Sequence, residues 1–212
     1  GYQYTYHLAS KVHEKGIYTE KDFIAFTHLI NGDSYSGRDL DEFKTIVDGR
    51  TTYYLHNDLH FTEETSKEVQ SIGMNSDFGA CFNGQGYTIL GLQIGCNNTA
   101  PYNGIFACVG VNGRVENLNV EKCSYIDNRT YNFAGIITGY NKGVIIGCHV
   151  KSCDINSDQS LRVSGITSYN TGSIFNCSVD DTQFIVKNAV SVSGLCNEHL
   201  GKIVNCGVTR CR

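Results

Sequence analysis

Ten cysteines are the side chains in this 212-residue chain with the most chemistry to offer: Cys81, Cys96, Cys108, Cys123, Cys148, Cys153, Cys177, Cys196, Cys206 and Cys211. Thiols can pair as disulfides, ligate zinc, or stay reduced and fill a core. The even count suits a disulfide framework in an exported protein. Cys148/Cys153 and Cys206/Cys211 have a C-x4-C spacing that fits loose zinc ligation, but no His completes either set. Cys148, Cys177 and Cys206 recur every 29 residues. Three cysteines stacked in register leave at least one unpaired. In-register neighbours also stand about 4.8 Å apart at Cβ, where a disulfide needs about 3.8 Å. Stacked reduced thiols are therefore the preferred reading, with disulfides second and metal third.

Carboxylates are the next candidates. Glycoside hydrolysis needs two of them roughly 5–10 Å apart across a groove, and lyases add a basic residue. Asp127 with Asp154, then Asp158, Asp180 and Asp181, with Lys151, Arg129 and Arg162 nearby, could supply these parts. None recurs at a spacing that demands chemistry, and Asp is common in turns for conformational reasons. The seven His are scattered, and His149 and His199 are expected to face outward. No catalytic residue, metal site or cofactor is assigned. Tyrosine is more suggestive, with 13 Tyr and no Trp. Tyr140 and Tyr169 are 29 apart beside turns, while Tyr102, Tyr125 and Tyr131 fall in longer loops. A column of exposed Tyr offers a flat platform for sugar rings or protein partners. Tyr140, Tyr169, Tyr125 and Tyr131 are the candidate binding residues.

The elements that must position them follow from a repeat. Residues 135–150 (GIITGYNKGVIIGCHV), 165–179 (GITSYNTGSIFNCSV) and 194–208 (GLCNEHLGKIVNCGV) align. Val120, Val150, Val179 and Val208 are spaced by 30, 29 and 29 residues, and Gly113, Gly143, Gly172 and Gly201 keep the same beat. Such a period marks stacked units, each too small to bury its own apolar face. The apolar runs are short, rich in Val, Ile, Phe and Cys, and punctuated by Gly, Asn, Asp and Ser, which is strand-and-turn chemistry. Alternation predicts one ladder of Leu92, Leu118, Cys148, Cys177 and Cys206, and another of Ile94, Val120, Val150, Val179 and Val208. A β-propeller is the rival, but its blades usually exceed about 40 residues. The expected fold is mainly β: a right-handed parallel β-helix over residues 51–212, with repeats of about 26–30 residues. Asn117, Asn176 and Asn205 are expected to supply left-handed turn geometry, as are Asn112, Asn141 and Asn170 near the turn glycine.

Residues 1–50 do not repeat and read as a small α-helical cap for the solenoid's open end. Thr19 and Asp22 form a capping box ahead of Phe23, Phe26 and Ile30, and Asn31-Gly32 ends that helix. A second short helix is expected over residues 40–48. Tyr53, Leu55, Leu59 and Phe61 then point inward from the first coil. The formal charge of −4 has no basic stripe, which argues against nucleic acid. No apolar run reaches the ~18 residues of a membrane span. Gly1-Tyr2 without Met suggests a processed N-terminus, and Arg212, ending inside a repeat, suggests a larger parent.

Residues 165–172 (GITSYNTG) resemble the core of the GLUG repeat, roughly G-L-V-G-Y-N-x-G. Residues 194–201 match it more loosely, and residues 135–143 carry Thr138 as one extra residue. Residues 78–94 resemble the segment that precedes such repeats, F-x-G-x-F-D-G-x-G-x-T-I, with Asn83 in place of Asp. Residues 104–120 resemble the next rung, and the likeness extends over residues 16–212. The resemblance implies an exported or surface-attached bacterial protein of adhesin-like type. GLUG repeats also occur beside the protease domain of IgA-specific metallopeptidases, but His13-Glu14 lacks the second His of a His-Glu-x-x-His zinc helix. The expected function is a non-catalytic, extracellular or cell-surface module displaying a binding face for glycan, mucin or a host surface protein. A structural spacer in a larger surface protein is the alternative, and a polysaccharide lyase or hydrolase is third. The strand frame has a direct test. Val179→Asp buries an unpaired charge and is expected to abolish soluble folding, whereas Asp180→Asn is nearly silent. Equal melting temperatures for Val179→Asp and the parent chain would refute the frame.

Overall fold

Short alternating strands cannot bury their apolar side alone, and in the computed structural model they do so by stacking coil on coil. The structure describes residues 14–95, 100–126, 133–160 and 162–212. It is a parallel β-solenoid of about five turns. Five sheets form its walls. Sheet A holds seven strands: Lys44–Val47, Arg50–Tyr54, Cys81–Asn83, Arg114–Glu116, Val144–Ile146, Ser173–Phe175 and Lys202–Val204. Sheet B runs through Leu59–His60, Thr88–Leu90, Asn119–Glu121, His149–Lys151, Ser178–Asp180 and Gly207–Thr209. Sheet C comprises Gln93–Ile94, Ser124–Ile126, Asp154–Ser157 and Gln183–Val186. Sheet D comprises Tyr102–Asn103, Phe133–Gly135, Arg162–Ser164 and Ser191–Ser193. Sheet E comprises Phe106–Val109, Thr138–Asn141, Thr167–Asn170 and Cys196–His199.

Sharp corners join these walls, and each needs backbone that L-residues avoid. Between sheets A and B stand Gly86, Asn117, Gly147, Asn176 and Asn205, with φ from 53° to 81°. Between sheets B and C stand Gly91, Lys122, Ser152, Asp181 and Arg210, with φ from 48° to 70°. Asn tolerates the left-handed region because its short amide bonds locally. Asn205 Nδ2 donates to Asn176 Oδ1 of the previous coil at 2.8 Å. Between sheets E and A, Asn141 and Asn170 are buried, and Asn141 Nδ2 donates to Asn170 Oδ1 at 2.7 Å. Beside them Gly113, Gly143, Gly172 and Gly201 stack so closely that a Cβ on Gly172 would collide with the carbonyl oxygen of Gly143.

The register departs from the expected ladders upstream. Leu59, Ile89, Val120, Val150, Val179 and Val208 form one column, and Ile94 instead stacks under Tyr125, Ile155 and Phe184. Leu92 precedes Cys123 rather than Leu118, as the bond from Ser124 N to Leu92 O shows. The step from Ile89 to Val120 is 31 residues, so the 26-residue unit is not a coil. The physical reason is that the two successive corners look alike. Gly91-Leu92 and Asn117-Leu118 are each a left-handed residue followed by an inward one. Thr138 pairs with Thr167 and Gly135 with Ser164, so Thr138 is not an inserted residue. Val208, in the last coil, is 43% exposed where Val179 is 0%.

Ahead of the solenoid, α1 (Glu20–Ile30) starts at Thr19 with the expected capping box. Its Phe23 packs on Phe61 and Phe82, and its Phe26 on Tyr53 and Phe43. The inward positions Tyr53, Leu55, Leu59 and Phe61 are all buried. The second helix is different from expectation. Residues Leu40–Glu42 make one 3-10 turn, and Lys44–Val47 then form a strand antiparallel to Arg50–Tyr54. Asp48 and Gly49 both have positive φ, which is the tight hairpin turn that Asp-Gly favours. The β-branched run Thr45-Ile46-Val47 prefers a strand; helical spacing alone did not reveal this.

The nine described cysteines are free thiols, six of them buried. Their hydrogen bonds explain their positions. Cys123, Cys148, Cys153 and Cys177 each donate to the carbonyl two residues back, at 3.2–3.6 Å. Thr182, stacked between Cys153 and Cys211, does the same with its hydroxyl at 3.1 Å. In sheet E, Thr138, Thr167 and Cys196 form one column and each donates two residues forward. Cysteine here is a small buried donor interchangeable with threonine. Burial pushes the Cys81 thiol up to about 11 and Cys196 to about 12. Such thiols stay neutral in the fold after their unfolded counterparts ionise near 9.0. Stability from this source is therefore complete below pH 9 and lost as pH rises toward 11–12. Thermal melts should be flat to about pH 8.5 and then fall steadily. Denaturing, non-reducing titration should count at least nine thiols per chain. Fewer than two would restore the disulfide framework.

Candidate functional site: an aromatic strip on the solenoid wall

Sheets D and E lie beside each other in every coil, so their outward residues form two adjacent columns. The sheet D column reads Tyr102, Phe133, Arg162, Ser191. The sheet E column reads Cys108, Tyr140, Tyr169, Glu198. Tyr140 and Tyr169 stack with ring centroids 4.6 Å apart and planes at 28°. Phe133 stacks on Tyr169 at 5.0 Å and 16°, and Tyr102 meets Tyr140 edge-on at 5.2 Å. All four rings are half-buried. In-register stacking, which places identical side chains one coil apart, creates this arrangement from the Tyr-Asn repeat.

Charge pairs bracket the rings. The Lys142 ammonium lies 4.8 Å from the Tyr140 centroid and pairs with Asp77 at 2.7 Å. The Arg162 guanidinium lies 5.0 Å from the Phe133 centroid and pairs with Glu198. The bond from Lys142 holds the Asp77 carboxyl below its usual range. Burial, then the bond to Asp77, pushes the Cys108 thiol up to about 12, so it is neutral beside the strip. Ring faces are largely spent on neighbouring rings and cations. The strip thus presents ring edges and phenol hydroxyls between two ion pairs, rather than the open flat platform expected from sequence.

The other sequence candidates fall elsewhere. Tyr125 is not in an exposed loop; it is a core residue, 0% exposed, below Ile155 in a sheet C column. Its hydroxyl bonds Ser160 at 3.0 Å and accepts from Asn103 at 3.5 Å. It was misread because its ring faces inward at a position where the other coils carry Ile or Phe. Tyr131 lies outside the described residues, as do Asp127 and Arg129. Asp158 pairs with Lys187, Asp180 with Arg210, and Asp181 accepts from Ser152, each across one coil step. Among the described residues no group of three or more His, Cys, Asp or Glu is placed to hold a metal ion. His149 and His199 are exposed. Phe133, Lys142 and Glu198 were missed. One signal was available: Phe133 and Arg162 each stand seven residues before the tyrosine they join.

No protein-family model, curated protein or solved structure matches this chain. The buried role of Tyr125 has its own test. Tyr125→Phe leaves its polar neighbours short of a partner and should destabilise the fold by about 1–2 kcal/mol. Ligand binding by the strip should be unchanged. An unaltered melting temperature would contradict the core assignment.

Proposed function

We propose that the chain is a non-catalytic, adhesin-like binding module of a secreted or cell-surface bacterial protein, built from GLUG-type repeats. The four-ring strip is its binding face, and its ligand is a glycan, a mucin or a host surface protein. The observation that carries this reading is the strip itself: Tyr102, Phe133, Tyr140 and Tyr169 in mutual contact, half-exposed, and rimmed by Lys142/Asp77 and Arg162/Glu198. An aromatic centre with a polar rim is the composition that recognition surfaces favour. A rigid wall also holds those rings in one arrangement before binding, which lowers the ordering cost.

A spacer is the second reading, and the same rings supply its argument. Tyr140 and Tyr169 stack face to face between coils, so they also join one coil to the next. Each aromatic pair contributes about 0.5–1.5 kcal/mol beyond its buried area.

Binding of the purified chain to arrayed glycans, mucin and matrix proteins separates the two. The module reading expects a saturable hit that Tyr140→Ala/Tyr169→Ala abolishes while the fold survives, with a lower melting temperature. Silence across the array, with only the melting temperature moved by the double substitution, would leave the spacer.

A further inference from the structure

We propose a second binding site, on the outer face of sheet A at the junction with the N-terminal hairpin, that takes a carboxylate-bearing sugar chain. It is separate from the aromatic strip and does not depend on it. Two rows of side chains build its floor: Thr52, Cys81 and Arg114 in one, Tyr54, Asn83 and Glu116 in the other. A depression of about 400 Å³ opens over them, walled by Val47, Asp48 and Arg50 of the hairpin. A second depression of about 470 Å³ shares Tyr54 and is lined by Glu14, Lys15, Thr45, His56 and Gln85. Tyr54 therefore stands as an aromatic divider between two sugar-sized hollows.

The polar groups are arranged for an anionic unit beside hydroxyls. Glu116 is fixed by Asn83 Nδ2 at 2.7 Å and pairs with Arg114, so this part of the floor is preorganised. Arg50 donates to the Asn112 carbonyl at 3.3 Å and has no carboxylate partner among the described residues. Lys15, in the other hollow, has none either. A guanidinium with free N–H groups binds a carboxylate in its fork geometry. Cys81 lies 4% exposed at the floor, and burial raises its thiol to about 11, so no thiolate opposes the anion.

The rest of the lining sets the ligand's charge density. The cations Lys15, Arg50 and Arg114 are matched by Glu14, Asp48 and Glu116. A balanced lining creates no strong positive field, so it does not select a polysulfate. Its carboxylates instead accept hydroxyl protons, and the Tyr54 ring contacts the apolar face of a pyranose. One free cation on each side of that ring suits a chain with carboxylates on successive sugars, which is a polyuronate.

Calorimetric titration of the purified chain tests this with four probes: oligogalacturonate, its methyl ester, a neutral oligoglucose and a sulfated heparin oligosaccharide. Saturable binding of oligogalacturonate alone is expected. Arg50→Gln should weaken it by about tenfold or more, the scale of one lost charge-assisted pair. Lys15→Gln should weaken it less, and neither exposed substitution should move the melting temperature. Tyr140→Ala/Tyr169→Ala should leave uronate affinity unchanged, so failure of the strip and failure of this groove read separately. The site is overturned by no saturation at millimolar oligogalacturonate, or by equal binding of the methyl ester. It is equally overturned by tighter binding of the sulfated chain, or by wild-type affinity in Arg50→Gln.

Discussion

Parallel, in-register hydrogen bonding between successive coils is the constraint on which everything else rests. Each strand copies the register of the one beneath it, as Val120, Val150, Val179 and Val208 do. Like then stacks on like at about 4.8 Å. Apolar side chains profit from this, and so do amides and aromatic rings, which bond or stack with copies of themselves. The buried Asn141–Asn170 bond and the Tyr140–Tyr169 stack are two results of one geometry. Like charges would repel in the same arrangement. Charged groups instead meet opposite or polar partners in the next coil, as Lys187 meets Asp158 and Asp181 meets Ser152.

Corners are the second demand of the coil. Turning the chain from wall to wall takes residues into the left-handed region, and Asn, Gly, Lys, Ser, Asp and Arg share that duty. The next residue must be small, buried and able to satisfy a nearby carbonyl. Cys and Thr meet all three conditions, and the column Cys153–Thr182–Cys211 contains both. The high cysteine content follows from that local need, without disulfide or metal chemistry to explain it.

Recognition surfaces arise where the repeat is broken or decorated. On sheets D and E, the exchange of Phe133 for Arg162, and of Tyr169 for Glu198, ends the aromatic column in charge. On sheet A, an antiparallel hairpin joins an otherwise parallel wall and raises a rim over Arg114 and Glu116. A perfectly periodic solenoid would have flat, uniform walls. These two departures give the molecule concave and chemically mixed places.

The amino-acid sequence by itself determined the repeat, the parallel β-solenoid, the helix that begins at Thr19, the inward columns from Val120 onward and the left-handed asparagines. Those follow from spacing and local backbone preference, which are written residue by residue. It also marked Tyr140 and Tyr169 as neighbours, because they are one period apart. Only the tertiary structure decided how Leu92 and Ile94 align, since two similar corners made both frames acceptable locally. The same holds for the strand at Lys44–Val47, which gains its hydrogen bonds from Arg50–Tyr54. It holds for Tyr125, whose inward position depends on the sheet C register. The strip's charged rim and the Tyr54 groove join residues dozens of positions apart, such as Asp77 with Lys142 and Tyr54 with Arg114. Such contacts exist only once the coils have closed on one another, because no local preference encodes which wall faces which neighbour.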